Sequence, residues 1–319
     1  MNIVLTGSVA YDYLMTFPGY FREHFLPDKL DQISLSFLVD SMTLRRGGVA
    51  PNIAYTLALL GGKPRLMATV GVDFEEYRRW LEERGIDTAW AKVVPGVFTA
   101  SFFANTDRSN AQIASFYPGA MAFASQLSFR AWEGQRPDLA VISPNDPGAM
   151  NQYVQECHEL GIPFFYDPSQ QIVRLDADAL RAGVKHCDAL FVNDYEFGLV
   201  EKTTGLGTAE ILQHAQFVII TRGEHGADLY TRQGEMHIPA VPPSQIVDPT
   251  GVGDAFRGGF LAGYSRQWSL ELCSQMGALA ATYCLEQAGP QSHHYSPAEF
   301  VDRFRQHYND HGQLDALVG

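Results

Sequence analysis

Cysteine is scarce in this chain: four residues in 319, at positions 157, 187, 273 and 284, with no Cys-x-x-Cys among them. Thiols so far apart build neither a zinc site nor a disulfide framework. Cys157, Cys273 and Cys284 fall in helical patterns as core thiols, and a reduced, cytoplasmic setting is expected. Basic residues are also in short supply, 23 Lys+Arg against 36 Asp+Glu, for a formal net charge of −13. A protein that grips a nucleic-acid backbone normally carries a basic face, so nucleic acid is not an expected partner. No apolar run approaches membrane-spanning length, and the first residues lack a basic n-region and break at Asp12, so neither a membrane nor a signal peptide is expected. No Gly-Lys-Ser/Thr is present, which excludes a P-loop. A nicotinamide-binding oxidoreductase needs Gly-x-Gly-x-x-Gly at the first strand, where Gly7-Ser8-Val9-Ala10 stands instead. The pair His293-His294 lacks a third ligand nearby and reads as surface loop.

What is present is an alternation. Apolar strand-like runs at Leu66–Gly71, Leu139–Ser143, Phe164–Tyr166, Phe191–Val192 and Phe217–Thr221 alternate with helical patterns, among them Phe74–Arg84, Ala149–Leu160 and Ala177–His186. A hairpin, Asp228–Thr231 and Met236–Pro239, turns at Gln233-Gly234, and two helices, 254–265 and 270–287, close the body. Short buried strands alternating with helices predict an α/β fold with a doubly wound, mostly parallel sheet flanked by helices, whose ligands sit at the carboxyl ends of the strands. No linker, repeat or low-complexity tract divides the chain. Two segments break the alternation. Met15–Phe17 with Ile33–Val39, and Val97–Asn105 with Gln112–Tyr117, read as extra strands. The expected division is a large body of 1–12, 46–96 and 118–319, with an elaboration of 13–45 and 97–117. That elaboration is rich in aromatics: Phe17, Tyr20, Phe21, Phe25, Phe37, Phe102, Phe103, Phe116 and Tyr117.

The most informative stretch is Asp248-Pro249-Thr250-Gly251-Val252-Gly253-Asp254, followed by a small-residue helical run. Backbone N–H groups at a helix N-terminus hold anions, because the first donors have no partner and the dipole is positive there. A carboxylate beside such a nest has an obvious use in taking a proton from a hydroxyl that attacks a phosphoryl group. On local pattern alone, a tight turn with Asp254 as a capping acid fits as well. Arg257, one turn on, either reaches a phosphate or faces solvent, and Asp167-Pro168 either joins the phosphate end or is only a turn.

Asp-x-Thr-Gly-x-Gly-Asp resembles the C-terminal signature of the ribokinase-like (PfkB) family of carbohydrate and nucleoside kinases. Pro249 and Val252 depart from its usual Thr/Ser and Ala without removing an amide at 251–254. Other family motifs have counterparts in the same order. Arg46-Gly47-Gly48-Val49-Ala50-Pro51-Asn52 is similar to the di-glycine substrate motif. Asp12 follows the first strand, where the family places an acid on two vicinal sugar hydroxyls. Asn193-Asp194-Tyr195-Glu196 resembles the Asn-x-x-Glu motif, though Asn with Glu three residues later is also a plain helix cap. Thr221-Arg222-Gly223-Glu224-His225-Gly226 resembles the nucleotide loop.

The resemblance implies Asp254 as base, with Gly251, Val252 and Gly253 as the anion hole. It implies Asp12, Gly47, Gly48 and Asn52 at the substrate, and Asn193, Thr221, Gly223 and Gly226 at the nucleotide. Glu196 and Asn193 would order Mg²⁺ through water, ATP would be the co-substrate, and K⁺ is a candidate near the Asp248 loop. The extra strands would form a small β-sheet lid that also serves a monomer or a homodimer. The lid run Phe21–Asp28 and the motifs at 221–226 and 248–251 look most like bacterial adenosine and broad-range nucleoside kinases of the family. The expected reaction is therefore phosphorylation of a nucleoside 5′-hydroxyl, adenosine first. A sugar kinase of the same family, and a non-catalytic nucleoside sensor, are the alternatives. Gly277, Ala278, Ala280 and Ala281 fit either an adenine contact or tight helix packing.

Overall fold

The structure, a computed structural model, describes residues 1–318. Its strands are β1 (Ile3–Thr6), β2 (Ala10–Thr16), β3 (Ser41–Gly47), β4 (Arg65–Val70), β5 (Asp87–Val93), β6 (Ala100–Thr106), β7 (Gln112–Tyr117), β8 (Leu139–Ile142), β9 (Phe164–Tyr166), β10 (Ala189–Asn193), β11 (Phe217–Thr221), β12 (Ala227–Thr231) and β13 (Gly234–Ile238). Its helices are α1 (Val49–Leu59), α2 (Glu75–Glu82), α3 (Pro147–Leu160), α4 (Ala177–His186), α5 (Asp194–Thr204), α6 (Thr208–Ile211), α7 (Val252–Tyr264), α8 (Leu270–Leu285) and α9 (Pro297–Phe304).

Nine strands form one sheet in the order β13-β12-β11-β10-β9-β8-β1-β4-β5, parallel from β11 to β5, with the β12–β13 hairpin adding an antiparallel edge. The central strands are apolar on both faces because helices cover both. Alternate residues separate into two cores. Ile3, Leu5, Phe165, Phe191, Phe217 and Ile219 pack toward Phe260 and Leu279, whereas Val4, Ile142, Phe164, Leu190, Val218 and Ile220 pack toward Tyr153, Val154 and Leu180. Among the described residues no helix is long and apolar enough to cross a membrane. All four cysteines are free and buried.

Helices α7 and α8 touch almost backbone to backbone. A Cβ on Gly259 would lie 2.7 Å from the Met276 carbonyl oxygen, and one on Gly277 would lie 2.7 Å from that of Phe256. The small residues of α8 therefore serve helix packing, and none of the four lines the cavity described below.

A second sheet of four strands runs β3-β2-β6-β7. It takes in Ala10–Asp12 and Arg46–Gly47, beyond the segments 13–45 and 97–117. Its third segment differs from expectation. Ile33–Val39 is not a strand; the strand is Ser41–Gly47. In the stretch 33–39 Phe37 turns inward, onto Phe17 and Phe21, and Val39 is half-buried, while Ile33, Leu35 and Leu38 stay exposed.

His293 corrects the surface-loop expectation: it is fully buried, whereas His294 is exposed. Its Nε2 lies 3.0 Å from Thr56 Oγ1, and its backbone carbonyl accepts a hydrogen bond from the Tyr55 hydroxyl at 2.5 Å. Burial pulls this imidazole down to about 4 from an ordinary 6.5. Between those values the unfolded chain binds the proton and the native one does not, so the group's contribution to stability rises with pH. In urea melts, the stability of wild type relative to His293→Gln should rise from pH 4 to 6.5 and level off above; a flat difference would show that the buried imidazole is not held neutral.

Candidate active site

A cavity of about 390 Å³ opens at the carboxyl ends of the parallel strands. Ser8 follows β1, Ser169 follows β9, and Asn193 and Thr221 end β10 and β11. From the small sheet comes Asp12, from the start of α1 come Gly48 and Asn52, and from α7 come Gly251, Gly253 and Asp254. Ser8 and Pro290, 282 residues apart in sequence, thus line one cavity. Gly47, Val252, Gly223 and Gly226 lie outside its wall.

Three glycines are explained by space and conformation. Gly48 has φ +96°, and a Cβ there would meet the Ser8 carbonyl oxygen at 2.5 Å. Gly251 has φ +79° as the residue that caps α7, and a Cβ would meet Pro290 at 2.3 Å. Gly47 backs Asp12, whose Oδ2 lies 2.9 Å from where a Cβ would stand. Beyond Gly251 the chain enters α7 directly, so the N–H groups of Gly253 and Asp254 are first-turn donors with no intrahelical acceptor. Val252 is different: its N–H is turned to the Pro249 carbonyl at 3.4 Å.

Asp254 carries the electrostatics. Asn52 Nδ2 donates to its Oδ2 at 2.8 Å. Burial pushes its carboxyl up to about 7; the Asn52 bond and the Arg257 charge pull it down, and the Asp167 and Glu196 charges push it up. A carboxyl titrating near neutrality can accept a proton and release it again. Asp12 is pushed up to about 6, chiefly by burial, against the pull of Arg45.

Arg257 does not face solvent. Its Nη2 donates to Asp167 Oδ1 at 2.5 Å, its Nη1 donates to the Gly253 carbonyl at 2.9 Å, and it also lines the cavity. Both partners of this pair are buried. Asn193 and Glu196 form the capping box of α5, each side chain accepting from the other's N–H at 2.8 Å. Glu196 Oε1 also accepts from Ser169 at 3.0 Å. Thr221 reaches the cavity, while Gly223 and Gly226 shape the turn into β12; a Cβ on Gly226 would collide with the Ile238 carbonyl. Asp248 accepts from Arg45 at Oδ2, 2.6 Å, and from the Thr250 N–H at Oδ1, 2.9 Å.

Several residues here had no signature in the sequence: Ser8, Ser169, Pro290 and, behind the wall, Tyr77 and Gln291. Ser169 takes φ +40°, unusual for a non-glycine. The dipeptide Asp167-Pro168 after a strand was the one available hint.

This fold, with a buried carboxyl beside free first-turn amides, defines a phosphotransferase that acts on a hydroxyl group. The model of the pfkB family carbohydrate kinases matches residues 8–296, and the chain belongs to that family. It is 26% identical to a nucleoside kinase of Methanocaldococcus jannaschii over 96% of this chain and 97% of that one. The ligand-free structure of the Burkholderia thailandensis nucleoside kinase superposes with a TM-score of 0.87 at 40% identity, covering 95% of this chain and 99% of that one. The same Burkholderia enzyme in complex with inosine gives 0.85 at 36%, covering 96% and 98%.

Arg257→Met leaves the buried Asp167, already pushed up to about 6 by burial, without its cation, and should cost about 3–5 kcal/mol in urea unfolding at alkaline pH, where that carboxyl is charged. A loss below about 1 kcal/mol, the range of exposed pairs, would contradict the buried pairing.

Proposed function

We propose that the chain transfers the γ-phosphoryl group of ATP to the 5′-hydroxyl of a nucleoside, with adenosine the expected acceptor. The observation that carries this reading is Asp254, at the rim of an amide nest, bonded to Asn52 and pushed by burial to about 7. Nucleosides are favoured over free sugars by the similarity to nucleoside kinases over nearly the whole chain. Asp12 and Asn52 hold the ribose, aided by the backbone of Gly47-Gly48. Asp254 accepts the 5′-hydroxyl proton as the oxygen attacks, a late transfer in a loose transition state, where positioning matters more than basicity. The free first-turn amides of Gly253 and Asp254 face the charge that grows on the phosphoryl oxygens, help of a kind typically worth roughly 3 kcal/mol. Thr221 and the turn carrying Gly223 and Gly226 border the nucleotide.

The residues fit a divalent cation. Burial and the Glu196 charge push Asp167 up, burial and the charges of Asp167 and Glu196 push Asp254 up, and the Arg257 charge opposes both. Asn193 and Glu196 are spent on a helix cap, so they would hold Mg²⁺ through its water shell, which this ion keeps readily. Mg²⁺ supplies charge neutralisation between the phosphates. The small sheet acts as a lid that keeps water from competing for the phosphoryl group.

The test is ADP release with Mg-ATP against adenosine, inosine, guanosine, cytidine, ribose and fructose, with ³¹P NMR of the product. A nucleoside 5′-monophosphate is expected, and Asp254→Asn should lower kcat about 10²–10⁴-fold. Turnover of free sugars alone would replace the acceptor with a sugar. Nucleoside binding without ADP release would mark a sensor.

A further inference from the structure

The loop after α8 contributes no motif, yet it touches the small sheet, the start of α7 and α1. Gly289, at φ +100°, lies against Arg45 of the small sheet; Pro290 lies against Gly251 of the nest; Gln291 lies behind Asn52. We infer that Gln291 is a positioning residue for the base, fixing the amide of Asn52 so that its NH₂ group, and not its oxygen, faces Asp254.

The argument is one of donors and acceptors. Gln291 is 8% exposed, and its Nε2 donates to Asn52 Oδ1 at 2.7 Å and to the Tyr77 hydroxyl oxygen at 2.5 Å. The Tyr77 hydroxyl in turn donates to the Gly47 carbonyl at 3.0 Å. A backbone carbonyl only accepts, so it fixes the direction of the whole chain. Tyr77 must donate to Gly47 and therefore accepts from Gln291. Both hydrogens of the Gln291 NH₂ group are then used, and Asn52 must accept with Oδ1. Its own NH₂ is left to donate to Asp254 at 2.8 Å. Gln291 Oε1 has no partner among the described residues, a cost borne for this orientation. If the Asn52 amide turned over, an oxygen would face the carboxylate, which would have to hold a proton to make the contact.

This inference rests on the reading of Asp254 as base. It predicts that Gln291 acts through the ionisation of Asp254 and not through the substrate. Around that carboxyl stand Arg257 on α7, Asp167 after β9, Glu196 on α5, Cys284 on α8 and Asp12 on β2, and a substitution at 291 changes none of them.

The experiment compares pH profiles of kcat and kcat/KM, with Mg-ATP and the best nucleoside, for wild type, Gln291→Glu, Gln291→Met, Asp254→Asn and the double variant Asp254→Asn/Gln291→Glu. Ionised glutamate at 291 only accepts, so the Asn52 amide turns its oxygen to Asp254, and the added charge pushes that carboxyl up as well; Gln291→Met, which adds no charge, separates the two effects. The rising limb should move up by about one pH unit or more, kcat at pH 7 should fall about tenfold, and most of the loss should return by pH 9. The nucleoside KM should move less than kcat. Gln291→Met, uncharged and of similar volume, should shift the limb in the same direction by less, and it carries the test if glutamate prevents folding. In the Asp254→Asn background the substitution at 291 should cost nothing further. An unmoved limb in the folded variants, or an undiminished tenfold loss in that background, overturns the inference. Full activity of Asp254→Asn would instead sink the reading of Asp254 as base.

Discussion

Everything in the site depends on how closely α7 approaches α1. A Cβ on Gly258 would stand 2.8 Å from the Ile53 carbonyl and 2.6 Å from Thr56 Cβ, so the two helices meet at backbone distance. That contact lets Asn52, in the first turn of α1, bond Asp254, in the first turn of α7, across 202 residues of sequence. The Gly259 and Gly277 contacts hold α7 as tightly to α8 on another side. A helix held on both sides cannot drift, so its N-terminal amides present a fixed nest. Preorganisation of this kind is what makes fixed dipoles effective at a charge that develops only during reaction.

The same packing sets the charges. Three carboxylates, Asp167, Glu196 and Asp254, converge on one buried guanidinium, Arg257, which bonds Asp167 and the Gly253 carbonyl. One ion pair fixes the floor of the nest; the remaining negative charge suits a phosphate that arrives with its metal. A second pair, Arg45 with Asp248, ties the small sheet to the loop that leads into the nest. Asp12, the register partner of Arg45, stands beside it on β2. The small sheet and the loop that leads into α7 are thereby one mechanical unit.

The fold was legible where burial dictated the pattern. Phe164–Tyr166 and Ala177–His186 have the bounds that their apolar periodicity implied, because strands and helices covered on one or both faces leave that mark in sequence, and Gln112–Tyr117 has the expected bounds although it is exposed along its length. The strand Ser41–Gly47 was hidden because it carries Arg45 and Arg46 and little that is buried, while the loop before it imitates alternation. The site was legible where glycine was required: Gly48 and Gly251 tolerate no side chain. It was illegible where function rests on a single polar residue in a loop. Gln291 lies 239 residues from Asn52, and no spacing rule connects them. His293 was misread for the same reason, since a histidine in a polar loop shows nothing of the core that Tyr55 and Thr56 build around it.

The central claim is that the fold holds Asp254 as a carboxyl poised near neutrality beside a nest of amides. Titration of the ¹³C-labelled carboxyl by NMR in the free protein, assigned with Asp254→Asn, tests it directly. The account predicts a midpoint near 7. A midpoint near 4, the value of an ordinary aspartate, would mean that the carboxyl is solvated and that the fold does nothing to prepare it.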